Sequence, residues 1–190
     1  MGCFLALLAA DRNGCYDHRM TAYGFALFDT AIGQCGVAWN DRGLVGVQLP
    51  EAGEAETRER MLQRFPAAAE LSPPPSIRQA IDGITALLLG EPRDLSTVAL
   101  DMEGVAAFHR RVYDAARAIP PGKTMAYGEI AARIGAPGAA RAVGQALGRN
   151  PFPIVVPCHR VLAAGGKVGG FSAHGGTATK RRMLAIEAGG

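Results

Sequence analysis

Tyr127-Gly128-Glu129-Ile130-Ala131-Ala132-Arg133-Ile134-Gly135-Ala136-Pro137-Gly138-Ala139-Ala140-Arg141-Ala142-Val143-Gly144-Gln145-Ala146-Leu147-Gly148-Arg149-Asn150 reads as two short helices around a glycine-proline turn, and it decides the kind of fold this chain adopts. The first helix covers Tyr127–Ile134 and closes at Gly135-Ala136-Pro137-Gly138; the second covers Ala139–Arg149. Asn150-Pro151-Phe152-Pro153 stops it, because a residue before proline avoids the helical region. Two short helices joined in this way form a helix-turn-helix. In the second helix Ala140, Gly144 and Gly148 share one face, since they lie one turn apart. A face so small lets backbone approach closely; a narrow groove or another packed helix would fit it equally. Arg141 sits in the first turn, where the helix dipole gives a cation little help, so it is placed to reach a phosphate or a base stack.

Outward from this pair, Val105–Ala118 reads as a helix with Phe108, Val112, Ala115 and Ala116 on its buried stripe. Downstream, Ile154-Val155-Val156 reads as an extended apolar stretch running into Pro157-Cys158-His159-Arg160. A glycine-rich segment (Ala163–Gly170) follows, and then a last helix from Thr177 to Glu187. The amino-terminal half has a different pattern. Tyr23–Asp29, Gln34–Trp39 and Leu44–Leu49 are short apolar runs with tight turns between them, which predicts an antiparallel meander. Helices are expected over Glu51–Phe65, with Met61, Leu62 and Phe65 inward, and over Ile77–Leu89, with Ile77, Ile81, Ile84 and Leu88 inward. A further strand is expected at Val98–Leu100.

Apolar residues make up 48% and charged residues 19% of the 190, enough for a core and too little charge for general disorder. The apolar runs near 3–10 and 84–89 are too short to span a bilayer, so no membrane association is expected. The formal charge of +3 conceals a polarised chain. Residues 1–100 carry 8 basic and 12 acidic side chains (−4), whereas residues 101–190 carry 12 basic and 5 acidic (+7). Such segregation points to a polyanion-binding half beside an acidic one, although a solvated basic face has the same composition. Cys3, Cys15, Cys35 and Cys158 have neither zinc-pair nor disulfide-framework spacing, which favours a reducing, cytoplasmic setting. Residues 1–19 lack the basic start of a signal peptide and read as a disordered extension; Cys3, Cys15 and His18 could meet only if it folded back.

Cys158 is the sharpest chemical signal. It follows a proline, so its backbone is stiffly held, and His159 and Arg160 next to it both favour a thiolate. Neighbours on an extended chain point apart, so a Cys–His pair here needs a water or a kink to pass a proton. His159 also needs a carboxylate to fix its tautomer. Beyond residue 120 the only acids are Glu129 and Glu187.

Pro157-Cys158-His159-Arg160-Val161, with Ala126-Tyr127-Gly128-Glu129-Ile130-Ala131, Ala140-Arg141-Ala142-Val143-Gly144 and Asn150-Pro151, closely resembles the O6-alkylguanine-DNA alkyltransferases over about residues 105–188. The resemblance implies an α+β fold: after the extension read at 1–19 comes a small ribonuclease-H-like scaffold domain with an antiparallel sheet (20–103). A mostly helical alkyltransferase and DNA-binding domain (104–190), containing the helix-turn-helix, completes it. It implies irreversible, single-turnover transfer of the alkyl group from O6-alkylguanine in double-stranded DNA, and also from O4-alkylthymine, with the base flipped out. By position, Cys158 is the acceptor, His159 the base through a water, Glu187 its polariser, and Asn150 the brace of the turn. Tyr127 crowds the target phosphate, Arg141 fills the vacated stack, and Ala140 and Gly144 face the minor groove. Arg160 holds recognition elements together, Val161 lines the pocket and Ser172 belongs to the closing loop.

Arg133, Arg149, Lys167, Lys180, Arg181 and Arg182 are candidate phosphate contacts. No organic cofactor is expected, because thiolate attack on a saturated carbon needs only alignment and a proton supply, and no metal, because Trp39-Asn40 stands where some relatives carry a zinc cysteine. Phe171 replaces a common tyrosine, and the Ala173–Gly176 loop with His174 is longer than in some members. A monomer is expected, acting in the cytoplasm and on the nucleoid if the source is bacterial. The competing class is a non-catalytic alkylated-DNA-binding protein of the alkyltransferase-like type, which Cys158 argues against. A cysteine hydrolase is disfavoured by the adjacency of Cys158 and His159.

Overall fold

The computed structural model describes residues 22–189. The extension expected at 1–19, with Cys3, Cys15 and His18, lies outside the described residues. β1 (Gly24–Thr30), β2 (Gly33–Asn40) and β3 (Gly43–Gln48) form the expected antiparallel meander. A two-residue strand, β4 (Ala69–Glu70), adds parallel to β1 and gives the order β3-β2-β1-β4.

Alternation along these strands sorts side chains to two faces. Phe25, Ala38 and Val45 meet Met61 of α1 (Glu54–Arg64) and Phe65, which caps it. Ala26, Val37, Trp39, Leu44 and Val47 point the other way, to α2 (Pro75–Leu88). That second core continues without a break into Val112, Tyr113, Ile130, Val143 and Met183 of the carboxy-terminal half. Each large side chain so buried contributes roughly 1.5–3 kcal/mol. The helical half therefore stands on the sheet, which gives its site a rigid floor.

The helical half contains α3 (Ala107–Arg117), α4 (Tyr127–Arg133), α5 (Ala140–Gly148) and α6 (Thr177–Glu187). Two-residue strands β5 (Met125–Ala126) and β6 (Val161–Leu162) pair in parallel beside them. The buried Tyr113 hydroxyl donates to the Ala146 carbonyl at 3.0 Å, which fixes α5 on α3.

Four expectations change. α1 starts at Glu54 rather than Glu51, because the Thr57 hydroxyl donates to Gly53 O and accepts from the Glu51 amide, which holds 51–53 as a lead-in. Leu62 is 46% exposed, since Met61 and Phe65 already fill the face toward the sheet. Val98–Leu100 makes only one bridge, Leu44 to Leu100, and is not a strand. Most consequential, Ile154-Val155-Val156 is a buried turn instead of an extended run, with Ile154 at φ 74°. That conformation is rare for a β-branched residue and costs on the order of 1–3 kcal/mol. Burial of Phe152, Ile154, Val155 and Val156 offsets it.

Candidate active site

The turn between α5 and Cys158 is braced from inside. Asn150 donates from Nδ2 to Val156 O at 2.8 Å and accepts the Phe152 amide on Oδ1 at 2.9 Å. The Val156 amide donates to Phe152 O, and the Cys158 amide to Val156 O, each at 2.8 Å. The chain then enters a single 3-10 turn, Cys158–Arg160, so the extended backbone that would separate neighbouring side chains is absent at this point.

Cys158, His159 and Arg160 are all buried, at 8%, 1% and 5% exposure. His159 and Arg160 share one partner, Glu187 at the end of α6, whose side chain is 2% exposed. A lone terminal glutamate is usually solvated; this one takes four donors. His159 Nε2 lies 2.9 Å from Oε1, Arg160 Nη2 2.7 Å from Oε1, Arg160 Nε 2.9 Å from Oε2, and the Gly122 amide 3.2 Å from Oε2. Burial alone would raise the Glu187 carboxyl, but the His159 and Arg160 hydrogen bonds win and hold it at about 2. It is therefore an anion at every physiological pH.

Arg160 changes what that anion does to His159. Its charge pairs with Glu187 and its Nη1 donates to Ile119 O at 2.6 Å, so the imidazole meets a largely neutralised carboxylate. Burial pushes His159 down first; Glu187 pulls it up; Arg160 and Lys180 push it down again, and the balance is downward. The ring is neutral, and since a carboxylate only accepts, the proton sits on Nε2. That leaves Nδ1 a free lone pair, and Nδ1 is buried with no protein partner. A buried acceptor of this kind is normally satisfied by water.

The Cys158 thiol is raised, mainly by burial. Against burial act the Asn150 side chain, the Lys180 charge and the backbone N–H groups of Cys158 and His159. Lys180 is the residue that sequence reasoning misplaced. It is 1% exposed and cannot grip a phosphate; its ammonium donates to Val161 O at 2.7 Å and lies 5.9 Å from the Tyr127 ring centroid. Burial lowers its pKa, and Cys158 opposes that fall. No sequence pattern marks it, because its carbonyl partner is 19 residues away and its companion ring lies on α4.

Tyr127 opens α4, half-buried, and faces α5: a Cβ on Gly144 would lie 3.8 Å from its ring. Burial, then Cys158, raises the Tyr127 hydroxyl. Ala140 and Gly144 are partly exposed along α5, and Arg141 is exposed in its first turn. Val161 is fully buried and pairs with Met125. Ser172 is exposed, its hydroxyl donating to Gly148 O at 3.2 Å, so the loop after β6 is tied to the end of α5. His174 of the same loop stands 3.9 Å from Glu51. Of the six candidate phosphate contacts, Arg133, Arg149, Lys167, Arg181 and Arg182 are exposed; Arg182 also bonds Ala31 O. The structure thus gathers Cys158, His159, Arg160, Glu187, Asn150, Tyr127 and Lys180 into one centre, with Arg141 on the helix surface beyond it. Among the described residues no group of three or more His, Cys, Asp or Glu side chains is arranged to hold a metal ion.

Known proteins resemble this chain in sequence and fold. The sequence profile of the 6-O-methylguanine DNA methyltransferase DNA-binding domain matches residues 107–189. A methylated-DNA–protein-cysteine methyltransferase of Methanothermobacter thermautotrophicus is 38% identical over 80% of this chain and 78% of its own. The enzyme of the same name from Mycobacterium bovis is 45% identical over 71% and 81%. Among solved structures, the Mycobacterium tuberculosis O6-methylguanine methyltransferase superposes with a TM-score of 0.69 at 37% identity, covering 87% of this chain and 93% of that one. A structure of the Mycobacterium tuberculosis protein in complex with DNA gives 0.69 at 36% identity over the same shares. With relatives matched along most of both chains, this chain belongs to the methylated-DNA–protein-cysteine methyltransferase family.

Proposed function

We propose that this protein repairs alkylated DNA directly, moving the alkyl group of an O6-alkylguanine onto Cys158 once and irreversibly. The observation that carries this reading is Cys158 in one tight turn with His159, which bonds Glu187 and keeps a buried lone pair at Nδ1, while the Lys180 charge acts on the thiol. The sulfur attacks the alkyl carbon, a C–S bond forms, the C–O6 bond breaks, and its electron pair stays on the guanine oxygen. The thiol proton passes through a water to His159 Nδ1, and the guanine anion takes a proton from solvent. The C–S bond of an alkyl thioether resists hydrolysis, because a thiolate is a poor leaving group from a saturated carbon, so the protein is spent. The reaction calls for no cofactor, since attack on a saturated carbon needs alignment and proton traffic.

A stacked guanine hides its O6, so the base must be flipped out at a cost of about a few kcal/mol, less for a mispaired one. Tyr127 at the start of α4 crowds the target phosphate, Arg141 enters the gap, and the small face at Ala140 and Gly144 lies in the minor groove. Val161 lines the pocket and Ser172 holds its closing loop. Burial keeps His159 neutral, and Arg160 helps by pairing with Glu187. The division of labour follows the charge: residues 20–103 form the scaffold and 104–190 the transfer and DNA-binding unit, working as a monomer where DNA and a reducing milieu coincide, in the cytoplasm. No described helix is long and apolar enough to cross a membrane.

Cys158→Ser tests the reading. The variant should bind duplex DNA carrying O6-methylguanine as the wild type does and transfer no methyl group. Transfer that persists in the variant would overturn it.

A further inference from the structure

The turn that presents Cys158 is held from outside its own half. The Pro151 carbonyl accepts the backbone N–H of Val47 in β3 at 2.8 Å. Arg64, the last residue of α1, crosses β3 to the same place. Its Nη1 donates to Val47 O at 2.8 Å and to Gln48 Oε1 at 2.9 Å, and its Nη2 to Pro151 O at 3.5 Å. The crossing needs a bare strand. A Cβ at Gly46 would come within 2.5 Å of Phe65 Cζ and 3.0 Å of Arg64 Nη2. Gln48 is itself fixed by donating to Leu49 O and Glu51 Oε1, at 2.9 and 2.8 Å.

We propose that Arg64 is a positioning residue for the transfer reaction: it clamps the end of β3 onto the Pro151 carbonyl and thereby fixes the Asn150 turn against Cys158. The proposal rests on Cys158 being the acceptor, as argued above. Pro151 directly follows Asn150, whose side chain bonds Val156 O and acts on the Cys158 thiol. Ile154 within the turn holds a left-handed backbone, a conformation that persists only where its surroundings over-determine it. The guanidinium adds to the restraint from burial, Asn150 and the Val47 amide by reaching two strand acceptors and the turn carbonyl with one rigid fork, which a lysine ammonium cannot match. A sulfur displaced by about 1 Å from its line of attack loses roughly 100-fold in rate.

The test compares Arg64→Ala and Arg64→Lys with Arg58→Ala, a control on the same helix that pairs with Glu70 and does not touch the turn. Two readouts are needed, both taken where each variant is folded. The first is amide exchange. Arg64→Ala should speed exchange at Val156 and Cys158 by about tenfold or more while β1 and β2 keep their protection, and Arg58→Ala should leave all of them unchanged. The second is single-turnover benzyl transfer at saturating O6-benzylguanine, with duplex affinity measured in parallel. Arg64→Ala should slow transfer by about tenfold with duplex affinity held within about twofold, and Arg64→Lys should recover part of the rate. Unchanged exchange at Val156 and Cys158, a transfer rate like the wild type's, or equal slowing in Arg58→Ala would overturn the clamp. A wild-type protein that accepts no benzyl group would instead contradict the acceptor role of Cys158, and amide exchange would still decide whether the clamp exists.

Discussion

Two buried cysteines lie in two regions of this molecule, and only one is equipped for chemistry. Cys35 sits within β2, fully buried, with the Thr30 hydroxyl at 3.7 Å as its polar neighbour. Burial drives it up to about 12, against which Thr30 does little. Cys158 is buried almost as deeply, yet it sits at a chain reversal with backbone N–H groups, the Asn150 amide and the Lys180 ammonium around it. A strand spends its backbone donors on its neighbours in the sheet. A turn turns them inward. Burial raises both thiols, and at Cys158 the Asn150 side chain, the Lys180 charge and nearby backbone N–H groups oppose that rise, where Cys35 has Thr30 alone.

The largest effect expected from breaking this contrast is in the proton path. His159 is held below its ordinary 6.5 and Cys158 above its ordinary 9.0, so between those values the resting pair is neutral imidazole and thiol. Transfer from free O6-benzylguanine should therefore be nearly flat across that window and fall at lower pH, once His159 takes a proton. His159→Ala should cost on the order of 100-fold at neutral pH. Its residual rate should climb about tenfold per pH unit, following the thiolate fraction. Stopped-flow or quench rates from pH 6 to 9 decide it; a flat profile in the variant would mean His159 is not the base. Next in size is Arg141→Ala, which should slow methyl transfer from duplex DNA by about tenfold and spare transfer from the free base, because only the duplex requires base extrusion. Equal losses on both substrates would remove Arg141 from the stack. Smallest is Cys35→Ser, which should cost about 1 kcal/mol of stability in a denaturant titration, the cost of a buried hydroxyl with one available partner. Its transfer rate should stay within about twofold of wild type.

How much of this was legible in the sequence varies with the range of the contacts. The helices α2 to α6 follow from apolar spacing and proline or glycine stops, and the β1–β3 meander from alternation, since these signals are local. The resemblance assigns Asn150, Cys158, His159 and Glu187 to one site; in the structure the Asn150 side chain acts on the Cys158 thiol and His159 bonds Glu187. Ile154-Val155-Val156 misled because a β-branched run favours a strand, while the bonds that bend it come from Asn150 and from Val47 in another half of the chain. Lys180 looked like a surface cation because the carbonyl it caps lies in β6, and Arg160 gave no sign that it would share Glu187 with His159. Arg64 resembled any charged residue ending a helix; its meaning depends on a bare Gly46 and on a carbonyl 87 residues away.

The most direct measurement of the account mixes limiting protein with duplex DNA that carries radiolabelled O6-methylguanine and follows the label with time. The account predicts that label becomes covalent on Cys158, reaches one methyl per protein and stops there, with none on Cys35. Label that stays on DNA, moves to Cys35, or continues to leave the DNA after every protein has reacted would contradict it.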